Sequence, residues 1–231
     1  MVLQEIIAIP GFSEPFSSIS HLIAAPVMLV MGSLLILESR DSRRHFITYT
    51  IFTFCGVFLL SMSGVFHLLE PHSTGRHVLQ ILDHAGIFVL IAGTFTPIHG
   101  ILFRGWWRWG MLIPIWTIAI TGLTLKSIFF VGFPEWFGLT LYLGLGWLGF
   151  ISAIVVKRRY GIKFILPLIY GAIAYSTGAV MEFLRTPVLI PGVIGPHELF
   201  HVAVLFGLGF QFYFVSQFVS IRVYQDKIIY R

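Results

Sequence analysis

Histidines at three separate places in the chain carry the clearest chemical signal of the sequence. His67 follows Ser63 by four residues, and His201 follows His197 by four, so each pair shares one face of a helix. Two imidazoles four residues apart are a common half-site for zinc. With His67 as third ligand, a fourth position would stay open for water, as in catalytic zinc sites. The sequence therefore predicts a zinc ion bound by His67, His197 and His201.

Asp83 and Ser63 are the polar residues best suited to act beside such an ion. Zinc lowers the pKa of a bound water molecule to about 7 and makes it a nucleophile. Asp83 would orient this water or accept its proton, and Ser63 would hydrogen-bond the water or a developing oxyanion. We therefore expect Asp83 and Ser63 to be catalytic residues.

The composition indicates that membrane helices position these residues. The chain has 231 residues, of which 57% are hydrophobic and 11% are charged, whereas soluble domains average about 25% charged residues. A soluble enzyme, a disordered chain and a nucleic-acid-binding protein are therefore excluded. A transmembrane helix needs about 20 mostly apolar residues, and seven stretches qualify: 20–37, 46–69, 78–101, 107–125, 136–156, 164–184 and 198–221. The predicted fold is an all-α integral membrane protein, a bundle of seven transmembrane helices.

The basic residues predict the orientation of this bundle. Of the 15 lysines and arginines, all but Arg76, Lys126 and Arg185 fall on one side of the spans. Cytoplasmic loops are enriched in these residue types, so we expect the C-terminus in the cytoplasm and the N-terminus outside. The expected division is a short N-terminal segment (1–19), a membrane domain (20–221) and a basic C-terminal tail (222–231).

The order of the spans brings the polar residues to one level of the membrane. The second span ends on the side where the third and seventh begin, so His67, Asp83 and the pair His197 and His201 share a depth. His21, at the start of the first span, lies at a similar level. Ionisable groups inside a membrane are costly and usually functional. A proton relay through His67, Asp83 and His201 is the alternative to metal binding.

Residues 197–201 also match the H-E-x-x-H pattern of zinc metalloproteases. An intramembrane protease is therefore a rival hypothesis. The motif lies in the last predicted span, so no later helix would supply a third ligand. On the competing interpretation, Glu198 is an incidental residue at the membrane interface.

Two other motifs have structural interpretations. Trp106, Trp107 and Trp109, next to two arginines, are typical of an aromatic anchor at the membrane interface. The G-x-G-x-x-G run at 144–149 lies inside an apolar span with no strand before it. It therefore indicates close helix packing rather than a dinucleotide-binding loop.

Together these residues resemble a known family. Ser63-x-x-x-His67, Asp83 within LDHAGIFVLIAGTFTP (82–97) and His197-x-x-x-His201 are similar to the motifs of the hemolysin III family, as is SSISH at 17–21. That family belongs with the progestin and adipoQ receptors and, more distantly, with the alkaline ceramidases. The sequence departs from the pattern at Phe66, where a tyrosine is typical, and at Glu198 between the paired histidines.

The resemblance implies a seven-helix protein of the bacterial inner membrane, with zinc on the three histidines and the aspartate and serine beside it. It also implies hydrolysis of lipid amides, as in related branches, and a role in membrane lipid homeostasis. We therefore expect a zinc-dependent hydrolase of lipid-like amide or ester bonds. Its expected partners are membrane lipids and a lipid-like substrate within the bundle, with no nucleic acid and no protein partner indicated. The alternatives are a non-enzymatic, zinc-stabilised sensor, receptor or pore-forming cytolysin, and the intramembrane protease.

Overall fold

The computed structural model describes residues 6–132 and 134–229, except the side chains of residues 131 and 220–229. These residues form eight α-helices: α1 (Pro15–Glu38), α2 (Arg43–Leu68), α3 (Thr74–Leu102), α4 (Trp106–Ile128), α5 (Glu135–Trp147), α6 (Gly149–Tyr160), α7 (Ile162–Leu184) and α8 (Pro196–Ile229). In this described part, seven spans are long and apolar enough to cross a membrane, since α5 and α6 together form the fifth. The predicted seven-helix membrane bundle is confirmed.

The first and last helices extend beyond the predicted spans. Helix α1 begins at Pro15, a residue type favoured in the first turn of a helix, and not at residue 20. The hydroxyl of Ser18 donates to the carbonyl oxygen of Gly64 on α2 at 2.8 Å, so this polar first turn is buried. Helix α8 continues to Ile229, so most of the expected tail is helical. The ends of the two expected terminal segments, residues 1–5 and 230–231, lie outside the described residues.

Helices α2 and α3 form the centre of the bundle, with α1 packed on α2, α4 on α3 and α7 on α8. Glycines allow the two central helices to approach closely. A Cβ atom added to Gly93 would lie 2.5 Å from the Cβ of Cys55, and one added to Gly100 would lie 2.5 Å from Cγ2 of Thr48. Small residues at such interfaces are typical of membrane bundles, where close packing drives helix association.

The fifth span consists of two helices, and its glycine run differs in part from the close packing predicted from the sequence. Helices α5 and α6 meet at Leu148, which keeps a right-handed helical backbone and whose N–H donates to the carbonyl of Gly144 at 3.2 Å. The helical hydrogen bonding therefore continues through this residue. The close-packing interpretation is wrong for Gly144 and Gly146, because a Cβ added to either would meet nothing within 4 Å. Gly149 does pack closely, since a Cβ added there would lie 3.1 Å from the ring of Phe95.

One end of the bundle, here called the histidine end, contains several helix termini, including the end of α7. Helix α2 ends there, and α1, α3 and α8 begin there. The backbone N–H of Glu14 donates to the carbonyl oxygen of His67 at 3.0 Å, and that of Ile7 donates to the carbonyl oxygen of Gly192 at 2.8 Å. The segment before α1 is therefore held across this end of the molecule.

Candidate metal centre

Three imidazoles from two helices meet at the histidine end. His67 lies in the last turn of α2, and His197 and His201 lie in the first two turns of α8. The Nε2 atom of His197 is 3.3 Å from Nε2 of His67 and 3.1 Å from Nε2 of His201. Each histidine offers one nitrogen, and the three nitrogens lie within 4.8 Å of one another. The structure therefore brings the three predicted ligands together.

The spacing and type of these donor atoms fit a metal ion. Two nitrogens that are each about 2.0–2.1 Å from one tetrahedral zinc ion lie about 3.3 Å apart. Two of the three separations, 3.1 and 3.3 Å, agree with this value. Imidazole donors suit zinc, copper, iron or nickel better than magnesium or calcium. The three histidines could therefore hold a transition-metal ion.

Glu14, directly before α1, fixes the orientation of His67. Its Oε2 accepts a hydrogen bond from Nδ1 of His67, and its Oε1 accepts one from Arg76. Burial raises the pKa of Glu14, but the hydrogen bond from His67 and the positive charge of Arg76 lower the pKa to about 2. Because an ionised carboxylate only accepts hydrogen bonds, Nδ1 of His67 carries the proton. The Nε2 atom of His67 therefore presents its lone pair to the cluster.

Glu182, near the end of α7, has the same relation to His197. Its Oε1 lies 3.4 Å from Nδ1 of His197 and accepts a hydrogen bond from Arg185 at 2.5 Å. Arg185 also donates to the carboxylate of Glu135 at 3.0 and 3.2 Å. Metal-binding histidines usually donate their second ring N–H to a carboxylate, a carbonyl or water. Glu14 and Glu182 therefore lie where residues that orient metal ligands are expected.

The Nδ1 atoms of His67 and His197 face carboxylates, so the Nε2 atoms of these two rings are the ones that can offer lone pairs to a metal ion. His67 is 1% exposed and His201 is 2% exposed, so both rings are buried. Nδ1 of His201 has no hydrogen-bond partner among the described residues, so no carboxylate fixes the tautomer of this third ring. A cation at the centre would stabilise this arrangement. The side chain of His197 is 33% exposed, so the cluster reaches the surface at this residue.

Glu198 caps the start of α8. Its Oε2 accepts a hydrogen bond from the backbone N–H of Gly195 at 2.9 Å, and its Oε1 accepts one from the hydroxyl of Ser17 at 3.3 Å. Since Pro196 is the first helical residue, Glu198 is the third and reaches back to the preceding N–H as in a capping box. Both carboxylate oxygens have structural partners, which favours a capping role over that of a protease base.

Asp83 and Ser63 lie near the cluster but do not hydrogen-bond to its imidazoles within the residues that the structure describes. Ser63 is buried on α2, one turn before His67. The side chain of Asp83 on α3 is 15% exposed, and its Oδ2 lies 3.8 Å from Nδ1 of His84. The charge of Asp83 is close enough to act on both His67 and His21. Both residues are thus placed beside the predicted ligands, and their catalytic roles stay a prediction.

His21 on α1 adds a fourth imidazole to the histidine end. Its ring packs against the ring of His201, with centroids 4.1 Å apart and planes inclined by 38°. The residue is 3% exposed, and neither ring nitrogen has a hydrogen-bond partner in the described part of the chain. His21 therefore lies beside the cluster, at the level predicted from the order of the spans.

Residues 12–212 match the family described as Haemolysin-III related. The chain is also 35% identical over 214 residues to the protein named "Hemolysin-3" of Bacillus cereus, covering 89% of this chain and 91% of that protein. The chain belongs to the haemolysin-III-related family. It is 33% identical over 173 residues to the "Hemolysin-3 homolog" of Bacillus subtilis (strain 168), covering 73% and 76% of the two chains. The family resemblance noted in the sequence is confirmed.

Family and fold together show where in the cell this haemolysin-III-related protein resides. Its seven apolar spans and its bacterial relatives make it a multi-pass integral membrane protein of bacteria. Sequence reasoning missed Glu14 and Glu182, although both lie at the ends of apolar stretches on the side of the histidines. That position was the only signal in the sequence, because Glu14 and His67 are 53 residues apart and follow no helical spacing.

Proposed function

We propose that this haemolysin-III-related protein is a zinc-dependent hydrolase that cleaves amide or ester bonds of lipid-like molecules. The observation that carries the proposal is the convergence of three Nε2 atoms, from His67, His197 and His201, with a carboxylate behind two of the rings. Structural zinc usually has four protein ligands, whereas catalytic zinc usually has three and an open position. Three histidines therefore support a catalytic ion.

The residues around the cluster have complementary roles in such a reaction. Zinc held by the three histidines would supply a Lewis acid for a carbonyl group and lower the pKa of water to about 7. Asp83 would orient the attacking water and accept its proton. Ser63 would donate a hydrogen bond to the oxygen on which negative charge develops. Glu14 and Glu182 would hold their imidazoles in place, so that the ligands do not reorganise during turnover.

The surroundings of the cluster support a lipid-like substrate. The connection between α7 and α8 is apolar and exposed beside the partly exposed His197, at Val188, Leu189, Ile190 and Val193. An acyl chain could lie against these side chains while its amide or ester group approaches the histidines. If the N-terminus is outside, as the distribution of basic residues indicates, the substrate would enter from the outer leaflet.

Metal content tests the first part of the proposal. Protein purified without chelators is expected to hold about one zinc ion per chain by mass spectrometry, and His67→Ala and His201→Ala should both lose the ion. His77→Ala is the matched control, because His77 is an exposed histidine at the same end of the bundle, and it should keep the ion. A wild-type protein without bound metal would overturn the proposal.

Turnover tests the second part. The zinc-loaded protein is expected to hydrolyse a fluorescent ceramide or a fluorescent lipid ester, and Asp83→Asn should keep its zinc but lose this activity. Full activity in zinc-loaded Asp83→Asn would refute the role of Asp83. Bound zinc with no hydrolysis of either lipid class would favour a non-enzymatic role.

His21 is the observation that favours the non-enzymatic alternative. Its ring lies beside His201, and its nitrogens have no hydrogen-bond partner among the described residues. Rotation of this ring would offer a fourth imidazole and close the site, as in structural zinc centres. The protein would then be a zinc-stabilised sensor, receptor or cytolysin, and the name of the Bacillus cereus relative fits the last of these. A large loss of zinc affinity in His21→Ala would support this alternative, whereas unchanged affinity would support the open site.

A further inference from the structure

A second site lies at the opposite end of the bundle, in a groove between α2, α3 and α4 with a volume of about 400 Å³. This volume is within the usual range of small-molecule sites. Arg44 and Arg108, in the first turns of α2 and α4, lie at the end of the groove, and Ile47, Ile51 and Ile113 follow along its walls. Arg44 is 23 residues before the metal ligand on α2, about 35 Å away at 1.5 Å per residue. The groove is therefore separate from the candidate metal centre.

Within the described residues, no carboxylate forms an ion pair with the arginines at the basic end of the groove. Arg108 is held in place because its Nε and Nη2 atoms donate to the carbonyl oxygen of Phe103 at 3.0 and 2.7 Å. Arg44 and Arg104 are both close enough to repel Arg108 electrostatically. A bound anion would offset the mutual repulsion of the three guanidinium groups.

The remainder of the groove suits an acyl chain. The isoleucine walls continue away from the arginines, and Ile113 is 61% exposed, so the groove opens sideways toward the surrounding membrane. Trp109 stands at its basic end and is itself exposed, and tryptophan is enriched at the headgroup level of membranes. A smaller crevice of about 190 Å³ at the same end of the bundle combines Arg104 and Arg159 with a further tryptophan, Trp107. The site is therefore cationic at the membrane interface and apolar below it.

We infer that this groove binds an anionic phospholipid. The lipid phosphate lies against Arg44 and Arg108, since guanidinium groups bind phosphate oxygens in a bidentate geometry. One acyl chain runs between α2 and α4 along the isoleucines. Basic pockets between transmembrane helices on the cytoplasmic side are known to take anionic lipid headgroups, and this end carries most of the basic residues of the chain. The inference does not depend on the metal centre or on hydrolase activity.

Native mass spectrometry of the full-length protein in detergent tests the inference by titration with phosphatidylglycerol, phosphatidylcholine or glycerol phosphate. Wild type is expected to bind phosphatidylglycerol at least about tenfold more tightly than phosphatidylcholine, because only the former has a net negative headgroup. Arg44→Gln/Arg108→Gln should abolish this preference. Arg43→Gln/Arg158→Gln is the matched control, since it removes the same charge from exposed arginines outside the groove, and it should keep the preference.

Two further variants keep the test decisive if the double variant is unstable. Arg44→Gln changes one exposed side chain and should weaken phosphatidylglycerol binding by itself. Ile113→Trp leaves the charge unchanged but fills the groove, and it should weaken binding of the lipid. Equal loss in the control pair would show general charge attraction and overturn the inference. Equal binding of phosphatidylcholine, or equal binding of glycerol phosphate without acyl chains, would also overturn it.

Discussion

Replacement of Glu14 is the most informative perturbation, because this residue contacts a predicted metal ligand without being one. Its carboxylate accepts hydrogen bonds from Nδ1 of His67 and from Arg76. Loss of such a supporting partner typically lowers metal affinity by 10–100-fold. We expect about a tenfold loss of zinc affinity in Glu14→Gln, where the amide oxygen can still accept the hydrogen bond. Glu14→Ala leaves the imidazole unsupported, and we expect a loss nearer to 100-fold.

These factors correspond to about 1.4 kcal/mol and about 2.7 kcal/mol of zinc-binding free energy. The assay is competition for zinc with a chromophoric chelator, on purified protein in detergent. Glu70→Gln is the matched control, because Glu70 is an exposed glutamate in the connection after α2, and its zinc affinity should equal that of wild type. Circular dichroism would check that each variant keeps its helical content.

Glu14 also joins α1 to the start of α3 through Arg76, so a purely structural role has to be distinguished from the orientation of His67. Arg76→Gln removes the ion pair with Glu14 and the hydrogen bond to the carbonyl of Leu69 but leaves the contact between Glu14 and His67. We expect this variant to lose thermal stability with a smaller change in zinc affinity than Glu14→Ala. Wild-type zinc affinity in a folded Glu14→Ala protein, with loss of zinc in His67→Ala, would refute the reasoning.

Three other outcomes are expected. Glu198→Ala should lower the free energy of unfolding by about 1 kcal/mol through loss of a helix cap, while its zinc content should stay unchanged. Loss of zinc in this variant would show that the carboxylate supports the metal. Gly93→Ala should lower the free energy of unfolding by about 1–3 kcal/mol, because its Cβ would lie 2.5 Å from Cys55. Gly144→Ala should not lower it, because a Cβ there would meet nothing within 4 Å. Equal melting temperatures of the two variants would contradict the close approach of α2 and α3. Removal of zinc by a chelator should lower the melting temperature. Free zinc at 100 times its Kd should then restore about 2.7 kcal/mol of the free energy of unfolding. An unchanged melting temperature would contradict coupling of the metal to the fold.

The helix count and the side of the bundle on which the histidines lie could be predicted because both follow from local sequence properties. Hydropathy over about 20 residues identifies a span, and the order of the spans decides which ends share a side. His197 and His201 are one turn apart on α8, and His67 lies at the end of α2 on that same side. Their convergence at 3.1 and 3.3 Å required only that α2 and α8 be close in the bundle.

The carboxylates behind the histidines could not be predicted in this way. Glu14 reaches His67 through the path of the segment before α1, and Glu182 reaches His197 across the connection between α7 and α8. Neither pairing follows helical spacing, so each depends on how whole helices pack. The same reason explains the error at Gly144, since a glycine pattern does not show whether its face of the helix meets a neighbour.

The distribution of basic residues gains a physical explanation from these pairs. Only Arg76, Lys126 and Arg185 depart from the charge bias of the sequence. Arg76 pairs with Glu14 and Arg185 pairs with Glu182, so two of the three exceptions balance the carboxylates that hold the histidines. These carboxylates are only partly exposed, at 22% for Glu14 and 24% for Glu182, and a charged group with little solvent is costly in a membrane protein unless it has a partner. The need to balance these carboxylates therefore explains why Arg76 and Arg185 lie on this side of the bundle.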